Sequence, residues 1–185
     1  MFDLPITAVE TLTQDSSNPY PSVIRLASNQ PNYRILVVED KWPSRTLLMQ
    51  LLKSAGFEVR EATNGQEAIR VWEEWQPQLI WMDMRMPVMD GYAATQQIRG
   101  SIQGQATAII ALTASALENE KQMVLSVGCD DFVRKPFQSS VIFDKIQQHL
   151  GVEYIHEEQQ TVERSKQSSI SQEQILEMVF KGLSR

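Results

Sequence analysis

Leu79-Ile80-Trp81-Met82-Asp83-Met84-Arg85-Met86-Pro87-Val88-Met89-Asp90-Gly91 is an apolar run that stops on one carboxylate and turns at once into a Met/Pro/Asp-Gly loop. Unbroken apolar character, rather than alternation, marks a strand covered on both faces, as in a parallel sheet. A carboxylate at the C-terminal lip of such a strand sits where open α/β sheets place their chemistry. Asp83 is therefore the residue from which the rest of the chain is read.

Similar runs recur on both sides of it. Ile35-Leu36-Val37-Val38 is a second short buried strand, closed by Glu39 and Asp40. A helix pattern follows, with Pro43 in its first turn, Leu47, Leu48, Leu51, Leu52 and Ala55 assigned to one face, and Gly56 as its stop. Residues 57–62 read as a strand, and Ala68, Ile69 and Trp72 mark a helix that ends before Pro77. After the strand at 79–82 come a helix at 92–99, a strand at 108–112 and a helix at 117–127. A short strand at 131–134 and a helix at 141–150 complete the series. Five βα units with short connections predict a doubly wound parallel sheet with helices on both faces and right-handed crossovers.

Residues 1–32 are polar and lack periodicity, and read as a linker or tail with a short extended piece at Val23–Leu26. Residues 33–150 form the domain, and 151–185 read as a polar linker followed by a short amphipathic helix at about 171–181. That helix is too short to stand alone in water.

Composition narrows the classes. An apolar fraction of 42% supports a core, and no apolar run approaches the roughly 18 residues of a membrane span. The first residues carry neither a basic region nor a long apolar stretch, so a signal peptide is not expected. A single cysteine, Cys129, excludes an internal disulfide framework. These features predict a cytoplasmic protein without membrane contact. The net charge of −6 argues against nucleic-acid binding, which relies on clustered cations to neutralise phosphates.

The strand ends form the chemical signal. Glu39 and Asp40, Asp83, Thr113 and Lys135 each close a strand, and a doubly wound sheet brings all those ends to one edge. Singly, a strand-end Asp is more often a loop cap, a Thr a helix cap and a Lys a surface residue. In register, each has work to do if Asp83 accepts a phosphoryl group. Clustered carboxylates need a hard cation, and Mg²⁺ takes carboxylate and water oxygens. Asp83 supplies the nucleophilic oxygen, Lys135 a point charge and Thr113 a hydroxyl donor. Trp72, Trp75 and Trp81 read as packing, Cys129 as a small packing residue, and His149 and His156 as histidines outside the crevice.

These blocks, 35–40, 81–91, 109–115 and 131–137, resemble the receiver domain of bacterial response regulators over about residues 34–150. The resemblance implies a flavodoxin-like (βα)5 sheet of strand order 2-1-3-4-5, counted from residues 35–38. It implies Mg²⁺ held by Glu39, Asp40, Asp83 and the backbone carbonyl of Arg85. Asp83 would be the phosphoacceptor, with Lys135 and Thr113 as its partners and Thr113 and Phe132 as switch residues. It also implies a cis peptide between Lys135 and Pro136. A histidine kinase or phosphotransfer protein would be the donor, and a homodimer would form through the face of the fourth helix, fifth strand and fifth helix. The domain would catalyse only its own phosphorylation and dephosphorylation. More narrowly, 83–91 and 128–137 resemble receivers of hybrid sensor histidine kinases, and 24–33 resembles the lead-in found in cyanobacterial-type hybrids. Departures are small: Ser44-Arg45 replaces a common Asn-Arg, and Phe132 has no phenolic hydroxyl. Arg85 sits at a position that tunes phosphoryl lifetime in that family, in a direction the sequence does not assign.

Two other functions use the same residues. A phosphohydrolase with an aspartyl-phosphate intermediate needs an acid two residues after the nucleophile, where this chain has Arg85. A receiver-fold interaction or dimerisation module without working phosphotransfer needs none of the acids, and their intact set argues against it.

Overall fold

Buried β-branched and aliphatic runs form the three central strands of one parallel sheet, covered by apolar side chains on both faces, while its two edge strands are mixed and partly exposed. The computed structural model describes residues 23–114 and 117–156. Position 115 of the third motif block and the helix expected at 171–181 lie outside the described residues. The elements in chain order are β1 (Val23–Leu26), β2 (Arg34–Val38), α1 (Trp42–Ser54), β3 (Glu58–Ala62), α2 (Gly65–Trp75), β4 (Leu79–Asp83) and α3 (Gly91–Arg99). They continue as α4 (Ile102–Ala106), β5 (Ala108–Thr113), α5 (Glu118–Ser126), β6 (Asp131–Arg134), α6 (Ser139–Leu150) and β7 (Tyr154–His156).

The main sheet runs β3-β2-β4-β5-β6, with every neighbouring pair parallel. Counted over these five strands alone this is the expected order 2-1-3-4-5. Alternate residues feed two separate cores. Ile35, Val37, Leu79 and Trp81 face α1 and α6, meeting Leu48, Leu52, Ile142 and Ile146. Leu36, Val38, Ile80 and Met82 face the other side, with Ile69, Trp72, Ile98 and Val124 from α2, α3 and α5. Each such side chain contributes about 1.5–3 kcal/mol by leaving water.

The helices start and stop for local reasons. Asn64 caps α2 by accepting from Glu67 N–H at 2.9 Å, and Asp90 caps α3 by accepting from Ala93 N–H at 2.8 Å. Gly56, with φ of 100°, ends α1 in a conformation that disfavours other residues. Trp72 and Trp75 pack as expected, and their ring N–H groups donate to Thr107 Oγ1 at 3.1 Å and Glu58 Oε1 at 3.3 Å.

Three features differ from the sequence reading. Leu47 is 64% exposed, because the buried stripe of α1 runs through Arg45, Leu48, Met49 and Leu52. The short α4 was not expected. It is a five-residue turn capped by Ser101 Oγ, which accepts from Gly104 N–H at 2.9 Å. Arg99 fastens it by donating to the carbonyls of Gly104, Thr107 and Gly128 and pairing with Asp130.

The third difference is β7, at residues read as linker. It pairs antiparallel with β1 to form a separate two-stranded ribbon. The ribbon is anchored: Leu26 N–H donates to Ala55 at 2.8 Å, and the Gln30 amide both donates to and accepts from the Glu153 backbone. Tyr154 stacks edge-on against Phe57 and Phe143, and its hydroxyl donates to the Phe143 carbonyl at 3.1 Å. Among the described residues no helix is long and apolar enough to cross a membrane.

Candidate phosphoacceptor site

At the C-terminal edge of the sheet, β2, β4, β5 and β6 deliver Glu39-Asp40, Asp83, Thr113 and Lys135 to one place. Asp83 lines a cleft of about 240 Å³ together with Lys41, Arg85, Thr113, Glu120 and Lys135. Of the lining residues Asp83 and Thr113 are 5% and 2% exposed, and Glu39, which shares Lys135 with Asp83, is 2% exposed.

Lys135 Nζ sits between two acids. It donates to Asp83 Oδ2 at 2.8 Å and to Glu39 Oε2. The other oxygen of Asp83 accepts from the Arg85 N–H at 3.1 Å, and Glu39 Oε1 accepts from the Lys41 N–H at 3.2 Å. Burial pushes the Glu39 carboxyl up and the neighbouring Asp83 charge adds to this, against the pull of Lys135. Burial pushes the Lys135 ammonium down, but its bonds to Asp83 and Glu39 outweigh that and raise it. The single positive charge of the lysine, through two of its N–H donors, thus holds two carboxylates together.

Glu39, Asp40 and Asp83 each offer an oxygen within 4.8 Å of the others, an arrangement suited to a metal ion. Asp40 Oδ1 is buried and has no hydrogen-bond partner among the described residues. An unpaired buried carboxylate oxygen is costly, and an oxygen-seeking cation would remove that cost. The donor set therefore fits Mg²⁺.

Several supports hold this floor. Lys135 N–H donates to the Thr113 carbonyl at 2.7 Å, tying the ends of β5 and β6 together, and the Lys135–Pro136 peptide is cis. Gly91 lies against the Asp83 backbone, where an added Cβ would meet the Asp83 carbonyl oxygen and, at 2.9 Å, Met84 Cα. Only glycine fits there.

Two supporting residues were not assigned to the site from sequence. Arg45, 9% exposed, donates to the Glu39 carbonyl at 2.8 Å and the Asp40 carbonyl at 3.3 Å, and pairs with Glu61. It fixes the backbone of the acid pair from beneath. Glu120 reaches the cleft from α5 and pairs with Arg85 at 3.2 Å. Phe132 lies outside the cleft, half-buried against the second core, with Lys121 Nζ 5.6 Å above its ring. Asp131 beside it accepts from Lys145 and His149. Burial would raise the Asp131 carboxyl, but those two bonds outweigh it and lower it.

Comparison with known proteins matches residues 35–147 to the response regulator receiver domain family. The sensor histidine kinase RcsC of Escherichia coli K12 is 36% identical over 137 residues, 74% of this chain. The chain spans only 14% of that kinase. Among solved structures, the receiver domain of sensor histidine kinase PA1611 from Pseudomonas aeruginosa is 36% identical, with a TM-score of 0.62. The match covers 65% of this chain and 99% of that one, and the PA1611 domain holds a magnesium ion in its active-site cleft. A co-crystal of the Saccharomyces cerevisiae histidine phosphotransfer protein Ypd1 with the receiver domain of its downstream response regulator Ssk1 matches at 32% identity and a TM-score of 0.60. That match covers 64% of this chain and 89% of that one.

Proposed function

Since the chain belongs to the response regulator receiver domain family, we propose that Asp83 is its phosphoacceptor, charged from a phosphohistidine in a Mg²⁺-dependent transfer. The observation that carries this reading is the Asp83 carboxylate on the floor of the cleft. One of its oxygens is held by Lys135 and the other by the Arg85 N–H, and two further acids lie beside it. A carboxylate so held is aimed but not buried beyond reach.

A carboxylate oxygen of Asp83 attacks the phosphorus of the donor phosphohistidine. The P–O bond forms, the P–N bond breaks, and the imidazole leaves with its electron pair. Glu39, Asp40, Asp83 and the Arg85 carbonyl would hold the metal ion, and the buried, unpartnered Asp40 Oδ1 supports this assignment. When bound, Mg²⁺ neutralises and orients the phosphoryl oxygens. The Lys135 ammonium moves from the carboxylate to a phosphoryl oxygen, and the Thr113 hydroxyl donates to another. The repacking around Thr113 is passed to Phe132, and the α5–β6–α6 face offers the changed surface to a partner or a second copy. To invert a 1:99 population, the phosphoryl group must favour the new state by about 5.5 kcal/mol, which a few charge-assisted contacts in a partly dry site can supply.

The donor is read as a histidine kinase or a histidine phosphotransfer protein, and the likeness to the Ssk1 receiver bound to Ypd1 supports the second. The likeness to RcsC, of which the match spans 14%, supports a place in a larger sensor histidine kinase. The test is transfer from a histidine phosphotransfer protein carrying radioactive phosphohistidine. Label should leave the donor and appear on this chain as an alkali-labile acyl phosphate. Label retained on every donor tried, with the chain folded and Mg²⁺ present, would favour the interaction-only module.

A further inference from the structure

The cleft over Asp83 is closed on one side by an ion pair that joins two elements far apart in sequence. Arg85 follows the acceptor by two residues, and its backbone N–H already donates to Asp83 Oδ1. Its guanidinium does not point at Asp83; it donates to Glu120 Oε1 at 3.2 Å. The Glu120 side chain is 11% exposed although it lies in the first turn of α5, whereas the Arg85 side chain is 71% exposed. Both residues line the same cleft as Asp83, Thr113 and Lys135.

We propose that Glu120 is a positioning residue for the Asp83 phosphoryl group: it holds the Arg85 guanidinium on α5 and so sets how long the phosphoryl group survives. This rests on the reading of Asp83 as the phosphoacceptor. A phosphoryl group on Asp83 brings more negative charge into the cleft than Glu120 carries. The phosphoryl oxygens and Glu120 then compete for one guanidinium, which suits either anion. The share that Glu120 keeps is the share of time in which the phosphorus is uncovered. Hydrolysis proceeds in that time. Water attacks the phosphorus, the bond from phosphorus to the Asp83 oxygen breaks, and the Asp83 carboxylate and inorganic phosphate remain.

The sequence could not supply this. Arg85 and Glu120 are 35 positions apart and belong to no common pattern. The assignment also gives a direction to the influence of Arg85, which the sequence left open.

The experiment uses the full chain, charged with acetyl phosphate and Mg²⁺, freed of donor and followed by intact mass as the phosphoryl group is lost. Glu120→Gln should lengthen the half-life about threefold, the scale of one partly exposed ion pair. Glu120→Asp, which keeps the charge, should stay nearer the unaltered chain. In an Arg85→Ala background, Glu120→Gln should change nothing. An equal effect of Glu120→Gln in both backgrounds would overturn the proposal, since Glu120 would then act by its own charge. No effect in either background would overturn it too. If the unaltered chain takes no phosphoryl group, the reading of Asp83 fails first and this inference falls with it.

Discussion

Lys135→Met is expected to destabilise the domain by about 3 kcal/mol at neutral pH, the scale of leaving a buried charge without its partner. The reason lies in what Lys135 holds. Its ammonium is the cation shared by Glu39 and Asp83, both of them buried. Methionine fills similar volume but leaves two carboxylates facing each other. Their repulsion adds to the burial that already raises Glu39. An acid whose folded-state pKa is raised binds its proton more tightly when folded. The deficit is therefore smallest below the ordinary carboxylate pKa, grows as pH rises toward the raised value, and is full above it. Urea unfolding midpoints across that range should show the variant converging on the unaltered chain in acid. Millimolar Mg²⁺ should recover part of the loss at neutral pH, because a cation that binds only the folded state stabilises it by mass action. A deficit independent of pH would point to lost packing instead of uncompensated charge.

Asp40→Asn is expected to weaken Mg²⁺ binding about 100-fold, at or beyond the top of the range seen when residues merely supporting a metal ligand are replaced. Asp40 contributes the buried carboxylate oxygen that has no partner among the described residues. Glu39 is engaged by Lys135 and Lys41, and Asp83 by Lys135 and Arg85. Asp40 is thus the acid best placed to hold the ion without first giving up a bond. Calorimetric titration of Mg²⁺ into the chain and the variant measures the difference directly. Retained affinity in Asp40→Asn would move the metal's main anchor to Glu39 and Asp83. The same substitution should not lower stability without metal, since it removes a charge from a crowded acidic cluster.

The strands were legible because burial on both faces leaves continuous apolar runs, and four of their ends carry the site. Ile35–Val38, Leu79–Met82 and Ala108–Leu112 read directly, and Glu39, Asp83 and Thr113 follow from where those runs stop. Helix stripes were legible to within a neighbour: Leu48 and Leu52 are buried, but Leu47 lies about 100° away around the helix and is not. Three things left no local trace. The α4 turn has five residues, including Gly104, too few for a helical period to show. The pairing of β1 with β7 joins segments from opposite ends of the described chain, so although Val23–Leu26 reads as a short extended piece, nothing local to it announces its partner; Leu26 and Tyr154 anchor the ribbon on the first core. Arg45 works through the carbonyls of Glu39 and Asp40, and every residue has a carbonyl, so no side-chain pattern encodes that contact. The site's chemistry was thus readable where it depends on residue type at strand ends. It was hidden where it depends on backbone atoms or on pairs distant in sequence, such as Arg85 with Glu120.

Phosphorylation of Asp83 is read most directly from the intact mass of the full chain after incubation with acetyl phosphate, with Mg²⁺ or with a chelator, alongside Asp83→Asn. One added phosphoryl group is expected in Mg²⁺, located on the peptide that contains Asp83, and none with chelator or in Asp83→Asn. An unchanged mass in Mg²⁺, or equal labelling of Asp83→Asn, would contradict it.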